Sequence, residues 1–168
     1  MNPQQRDVLD FWFRELTPKD WFEAGERNDP LVRERFGALL EQARSGALDD
    51  WAETPLGRLA LIIVLDQFSR HIHRGSGEAF ASDAKAQQLA LDGIAAGDDE
   101  QLAMSQRHFL YMPLMHAEDL GIQAKNIERF EALRDYAEWI LQFARDHRQE
   151  IVDNGRFTGR DEALGRSD

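Results

Sequence analysis

The sequence predicts an all-α protein, and three observations point to this class. Four of the five prolines follow a polar residue that can cap the start of a helix. A short polar side chain accepts a hydrogen bond from a free amide of the first turn, and proline at the next position loses no helical hydrogen bond. Valine and threonine, which favour strands, are few, and no segment alternates apolar and polar residues. The 168 residues are enough for one domain with a buried core.

Helix boundaries follow from these residues in chain order. Helix starts are predicted at Asn2-Pro3, Thr17-Pro18, Asp29-Pro30, Thr54-Pro55, Ser82 and Asp98, the last with Gln101 at capping-box spacing. Helix ends are predicted at Gly25, Gly46, Gly97 and Gly155, where a left-handed residue can close a helix. The predicted helices cover 3–15, 18–24, 30–45, 55–73, 83–96, 99–111, 114–120, 122–134 and 136–153, with Pro113 interrupting the chain after Tyr111.

The helix predicted over 55–73 is expected at the centre of the fold. Its middle, Leu59 to Leu65, is apolar on every side, and such a helix is normally surrounded by others. Short connections elsewhere favour antiparallel neighbours. No linker rich in proline, glycine or serine divides the chain, so residues 1–168 are predicted to form a single domain, with a loosely packed tail after about 155.

Net charge and composition exclude several classes of function. The formal net charge of −11 and the lack of a basic stripe argue against a nucleic-acid partner. No cysteine is present, which excludes thiolate chemistry and cysteine-ligated metal. The start of the chain lacks a secretory pattern, and no apolar run is long enough to span a bilayer. We therefore expect a soluble, cytoplasmic protein with no membrane partner.

The first candidate site lies at the end of the central helix. Asp66 and Arg70 are four residues apart and therefore share a helix face, and Arg74 lies close to the same stripe. An acid directly after a buried apolar run needs a partner, and arginine is a fork-shaped donor for anions. The functional interpretation is a polar pocket for an anionic or hydrogen-bonding ligand. The structural one is a solvated helix end, with cations near the negative end of the dipole.

Two later segments carry further candidates. His116 and Asp119 are three residues apart, with Glu118 between them, and His–acid pairs serve as general bases or metal ligands. His147 and Arg148 either belong to a charged helix end or face the same cavity as the two segments around Asp66 and His116. We expect Asp66 to pair with Arg70 or Arg148, and His116 to contact an acid or line that cavity.

Known catalytic motifs are missing. The sequence contains no G-x-S-x-G, no phosphate-binding glycine loop, no H-E-x-x-H and no Glu-x-x-His pair. It therefore predicts neither a cofactor nor a metal site.

Long strings in the sequence match a family pattern over nearly the whole chain. They include Val8-Leu-Asp-Phe-Trp-Phe13, Thr54-Pro-Leu-Gly-Arg-Leu-Ala-Leu-Ile-Ile-Val-Leu-Asp-Gln-Phe68, Phe109-Leu-Tyr-Met-Pro-Leu-Met-His-Ala-Glu-Asp119 and His147-Arg148. In these strings the chain resembles the bacterial DUF924 proteins, a family of unknown function. The resemblance implies a TPR-like right-handed stack of antiparallel helices, and it implies no reaction.

The sequence departs from that family pattern in two places. The family reads F-P-R-N-I-Y-R-G where this chain has Ser69, His71 and His73, and it reads G-R-F-P-H-R-N where this chain has Thr158, Gly159 and Asp161. The resemblance thus implies that a tail histidine and a tail asparagine are missing here, for which His71 and His73 are possible replacements.

Two functions from different classes remain open. The first is a TPR-like binding module for a peptide, a protein or a small polar ligand, since helical stacks offer a concave face. The alternative is a small-molecule enzyme, with His116 or His147 as base and Arg70, Arg74 or Arg148 as anion clamps. A closed cavity shared by the three segments favours the enzyme or a small ligand, whereas a long open groove favours a protein.

Overall fold

The computed structural model describes residues 1–22 and 26–166, which include no strand. The all-α prediction is therefore confirmed for this part of the chain. The helix end predicted at Gly25 lies outside the described residues. The chain divides into two compact units, Met1–Asn126 and Ile127–Asp168.

The first unit consists of helices joined by short connections. Its α-helices are α1 (Pro3–Asp10), α2 (Pro18–Phe22), α3 (Asp29–Arg44), α4 (Pro55–Ile62), α5 (Ser69–Ile72), α6 (Asp83–Ala96), α7 (Met104–Met115) and the start of α8 (Leu120–Asn154). Two π-helical segments, Phe11–Glu15 and Ile63–Phe68, continue α1 and α4. Short 3₁₀ helices are Asp49–Glu53, Gly77–Phe80 and Asp98–Gln101.

The core of the first unit lies around the central helix, as predicted. Every residue from Leu59 to Leu65 is fully buried. Aromatic rings pack beside it: Phe36 stacks on Phe68 with ring centroids 4.4 Å apart, and Trp12 meets Phe109 edge-on at 5.3 Å. Aromatic side chains bury large apolar areas and therefore stabilise this core.

The helix caps confirm several predicted boundaries. The Asn2 side chain accepts from the Gln5 amide at 2.9 Å, in a reciprocal capping box. Thr54 accepts from the Gly57 amide at 3.2 Å and starts α4. Gly97 closes α6 with φ of +75°, a conformation that glycine adopts without a steric penalty.

Four predictions about the helix boundaries are wrong. No separate helix covers 114–120, because α7 ends at Met115 and α8 begins at Leu120. The segment after Asp98 forms a 3₁₀ turn, and α7 begins only at Met104. Pro113 does not interrupt the chain after Tyr111 but lies inside α7, in its last turn. The helix tolerates the loss of one amide donor there because the residues from Phe109 to Leu114 are buried. The two helices predicted over 122–134 and 136–153 are one helix, α8, because no glycine or proline interrupts this stretch.

The second unit contains most of α8, a 3₁₀ turn (Thr158–Arg160) and α9 (Asp161–Leu164). Its last segment contacts the end of α8. The Thr158 amide donates to Glu150 at 2.9 Å, and the Phe157 ring meets His147 edge-on with centroids 5.7 Å apart. Arg156 and Asp161 form an ion pair at 3.0 Å.

Candidate functional site

The candidate site is built on a buried carboxylate. Asp66 is only 1% exposed and lies in the π-helical segment Ile63–Phe68, directly after the buried apolar run. A π-helical turn is rare and is often found at functional sites, because the wider turn changes the direction of the side chains that follow. A buried charge without partners costs several kcal/mol, so the contacts of Asp66 decide whether the site is stable.

Three side chains compensate the Asp66 carboxylate. Arg70 Nη1 lies 2.8 Å from Oδ1, and Nδ1 of His116 lies 2.8 Å from the same oxygen. The side-chain amide of Gln67 donates from Nε2 to Oδ2 at 2.5 Å. The expected pairing of Asp66 with Arg70 and the expected contact of His116 with an acid are therefore confirmed.

The contact with Asp66 fixes the orientation of the His116 ring. A carboxylate can only accept hydrogen bonds, so Nδ1 of His116 carries the proton and donates it to Asp66. In the neutral ring, Nε2 then keeps a free lone pair. The His116 side chain is 26% exposed, whereas Asp66 is buried beneath it. The hydrogen bond therefore sets the tautomer of the neutral ring, with its proton on Nδ1.

Arg70 is held by a second carboxylate. Its two terminal nitrogens each lie 3.0 Å from one oxygen of Asp83, and Nη1 also donates to the Asp66 backbone carbonyl at 3.0 Å. Bidentate pairs of this kind are among the strongest in proteins. The fork that the sequence assigns to an anionic ligand is therefore bound to Asp83. We call Asp66, Arg70, Asp83 and His116 the His116 cluster.

A cavity of about 640 Å³ opens beside the His116 cluster. It is lined by Arg70, Phe80, Asp83, Ala84, Gln87, His116 and Glu118. These residues come from α5, the Gly77–Phe80 turn, the first two turns of α6 and the connection that follows α7. Two of the three predicted segments thus meet at one cavity, with contributions from α6 and the Gly77–Phe80 turn that the sequence did not indicate.

The other candidate residues of these two segments are Glu118, Asp119 and Arg74, and they do not belong to the His116 cluster. Glu118 is exposed at the cavity wall. Asp119 accepts from the Ile122 amide at 2.8 Å and therefore caps the start of α8. Arg74 is bound to Asp29, with Nη2 2.9 Å from Oδ1.

Asp29, His71 and Arg74 form a second polar group, the Asp29 cluster. His71 Nδ1 lies 2.7 Å from Asp29 Oδ1, and Arg74 Nε lies 2.5 Å from Oδ2. Burial raises the pKa of Asp29, but the hydrogen bonds from Arg74 and His71 outweigh it and lower the pKa below its ordinary value. We interpreted Asp29 only as a helix start. Nothing in the local sequence indicates that this acid, in the first turn of α3, is buried.

His147 and Arg148 belong to the second unit. Both side chains are exposed on α8, and His147 contacts the Phe157 ring. Of the residues that depart from the family pattern, buried Ser69 donates to the Ala79 carbonyl at 3.0 Å, and His71 belongs to the Asp29 cluster.

Residues 1–22 and 26–166 contain no group of three or more histidine or acidic side chains placed to hold a metal ion. No helix among them combines the length and the apolar character needed to cross a membrane.

The fold and the site define an all-α protein with a surface cavity beside a buried carboxylate–histidine pair. A family model described as "Bacterial protein of unknown function (DUF924)" matches residues 8–168, and the chain belongs to this family. It is similar to the structure titled "Structure of Protein of Unknown Function ATU0120 from Agrobacterium tumefaciens", with 31% sequence identity and a TM-score of 0.72. That match covers 97% of this chain and 90% of the other. No curated protein matches the chain.

Proposed function

We propose that the protein is a TPR-like binding module whose cavity beside the His116 cluster takes a small polar ligand. The observation that carries this proposal is the bond between buried Asp66 and the partly exposed ring of His116. It holds a hydrogen-bonding nitrogen in one tautomer at the wall of a cavity. A ring that served only the packing of the core would be fully covered by apolar neighbours.

The size of the cavity favours a small ligand over a peptide or protein. Its volume of about 640 Å³ lies within the range of about 300–1,000 Å³ that is common for small-molecule sites. Five of its seven lining residues are polar or charged, which suits a polar ligand. The ion pairs between Arg70 and its two carboxylates stabilise this wall in the absence of a ligand.

A pair of tryptophan variants on α6 tests the proposal. Ala84 lines the cavity and is exposed, so Ala84→Trp fills the cavity without removing any contact of Asp66. Ala95 is exposed eleven residues later on the same helix, which places it about 16 Å away on nearly the same face. Ala95→Trp is therefore the matched control.

The measurement is a thermal-shift screen of small polar metabolites, followed by calorimetric titration. We expect some compounds to raise the melting temperature of the wild type and of the control A95W. The same compounds should not raise the melting temperature of A84W. Compounds that stabilise all three proteins equally would place binding elsewhere. A screen without any stabilising compound would contradict the proposal.

A second candidate function is catalysis with His116 as general base. Its specific support is again Asp66, which holds Nδ1–H of His116 and leaves Nε2 able to accept a proton. For any compound that binds, turnover is followed by NMR in the wild type and in His116→Gln. An enzyme would lose turnover in this variant while it keeps binding within a few-fold, whereas a binding module shows no turnover in either protein.

A further inference from the structure

The charges around the cavity are unbalanced. Among the described residues that line the cavity, Arg70 is the one with a permanent positive charge, and Asp83 and Glu118 are acidic. Asp66, behind His116, adds a third carboxylate. Arg70 and these three carboxylates sum to one positive and three negative charges, or −2.

Arg70 cannot offset a bound anion, because its guanidinium already serves two carboxylates. Asp66 lies 2.8 Å from Nη1, and Asp83 lies 3.0 Å from Nη2. An incoming carboxylate or phosphate would have to displace Asp83, and the displaced acid would remain in the cavity wall.

Glu118 is the acid that remains available. Among the described residues it makes no hydrogen bond or ion pair, and it is exposed at the cavity. The Phe80 ring lies on the same cavity and is 59% exposed, with the Arg70 guanidinium 5.4 Å from its centroid. The contact with Arg70 shows that this ring accepts a cation, and aromatic rings are a common recognition site for ammonium groups.

We infer that the ligand of this cavity carries a positive charge, an aliphatic ammonium or guanidinium group, which Glu118 and Phe80 recognise. This inference rests on the proposed function, since it assigns a chemical class to the ligand of the same cavity. The polar remainder of the ligand meets Nε2 of His116 and the Gln87 amide.

Three probes with one carbon skeleton separate charge from shape: n-butylammonium chloride, 1-butanol and sodium butyrate. Each is titrated at low ionic strength while the ring signals of His116, assigned with the His116→Gln variant, are followed by NMR. The ammonium probe should bind more tightly than the alcohol, and butyrate should bind weakest.

Three variants locate the effect. Glu118→Gln should weaken binding of the ammonium probe about three- to fivefold, as expected for a partly solvated ion pair. Phe80→Leu should weaken it by a similar factor. Glu53 is an exposed acid outside the cavity lining, so Glu53→Gln removes the same charge and should leave binding unchanged.

Each other outcome is decisive. Butyrate binding as tightly as butylammonium would overturn the inference and leave the proposed function intact. Equal effects of E118Q and E53Q would attribute any preference for cations to the net charge of −11, and would also overturn the inference. If none of the three probes moves the His116 signals, the inference fails, whereas the proposed function is decided separately by the screen of the wild type, A84W and A95W.

Discussion

The carboxylate of Asp66 and the imidazole of His116, 50 residues apart in the chain, form a hydrogen bond of 2.8 Å. The same carboxylate oxygen lies 2.8 Å from Arg70. The bond joins the end of the buried central helix to the connection after α7. A single buried charge therefore orients both polar side chains at the cavity.

Asp66→Asn should destabilise the protein by about 2–3 kcal/mol, since it leaves Arg70 and His116 without the charge that both contact. The loss is below that of a fully buried pair because both partners are partly exposed. The free energy of unfolding in urea measures it. Asp50→Asn, at an exposed acid, is the control and should change stability by less than about 0.5 kcal/mol. Equal losses in the two variants would show that Asp66 is not a structural charge.

Two glycine variants should have opposite signs. Gly37 lies in α3 with open space where a Cβ would stand, so Gly37→Ala should stabilise the protein by about 0.5–1 kcal/mol. At Gly57 a Cβ would collide with the Trp51 carbonyl and lie 2.8 Å from Thr54 Oγ1, the cap of α4. Gly57→Ala should therefore be destabilising. Melting temperatures compare the two, and a stabilising Gly57→Ala would contradict the packing at the start of α4.

The central helix should be the most sensitive part of the core. Ile62 and Leu65 are fully buried, and truncation of such side chains to alanine costs about 2–5 kcal/mol each. Leu31, which is 47% exposed on α3, is the control, and Leu31→Ala should cost less than about 1 kcal/mol. Chemical denaturation gives all three values. Losses below about 1 kcal/mol at Ile62 and Leu65 would mean that the helix contributes little to the core.

The sequence predicted those parts of the fold that depend on local chemistry. The caps at Asn2 and Thr54 and the glycine end at Gly97 follow from the amides and torsions of a few neighbouring residues. The burial of Leu59–Leu65 follows from an apolar run with no polar side.

Other features depend on contacts distant in the chain. Pro113 is a strong local signal for a break, yet the helix continues because its neighbours from Phe109 to Leu114 are buried. The π-helical turn at Asp66 leaves no composition signal. Asp83 has the appearance of an ordinary acid at a helix start, and only the fold places it against Arg70. Three of the four residues of the His116 cluster, Asp66, Arg70 and His116, were thus predictable, because they lie in segments that follow apolar runs, whereas Asp83 was not.

Asp29 should make stability depend on pH in the acid range. Its pKa in the folded protein is lowered below the ordinary value of 3.8: burial opposes this, but the bonds from Arg74 and His71 outweigh it. As the pH falls, the unfolded chain therefore binds the proton first. The stabilisation is fully present above 3.8 and is lost as the pH falls through the lower pKa of the folded state.

The matched measurement is the difference in unfolding free energy between wild type and Asp29→Asn across this range. The variant should be less stable above 3.8, and the difference should shrink below it, because only the wild type loses the contribution of Asp29. Asp20, whose pKa is also lowered, contributes equally to both proteins and cancels in the difference. A difference that stays constant through the acid range would mean that the charge of Asp29 does not stabilise the fold, and that Arg74 and His71 pack against it as they would against a neutral amide.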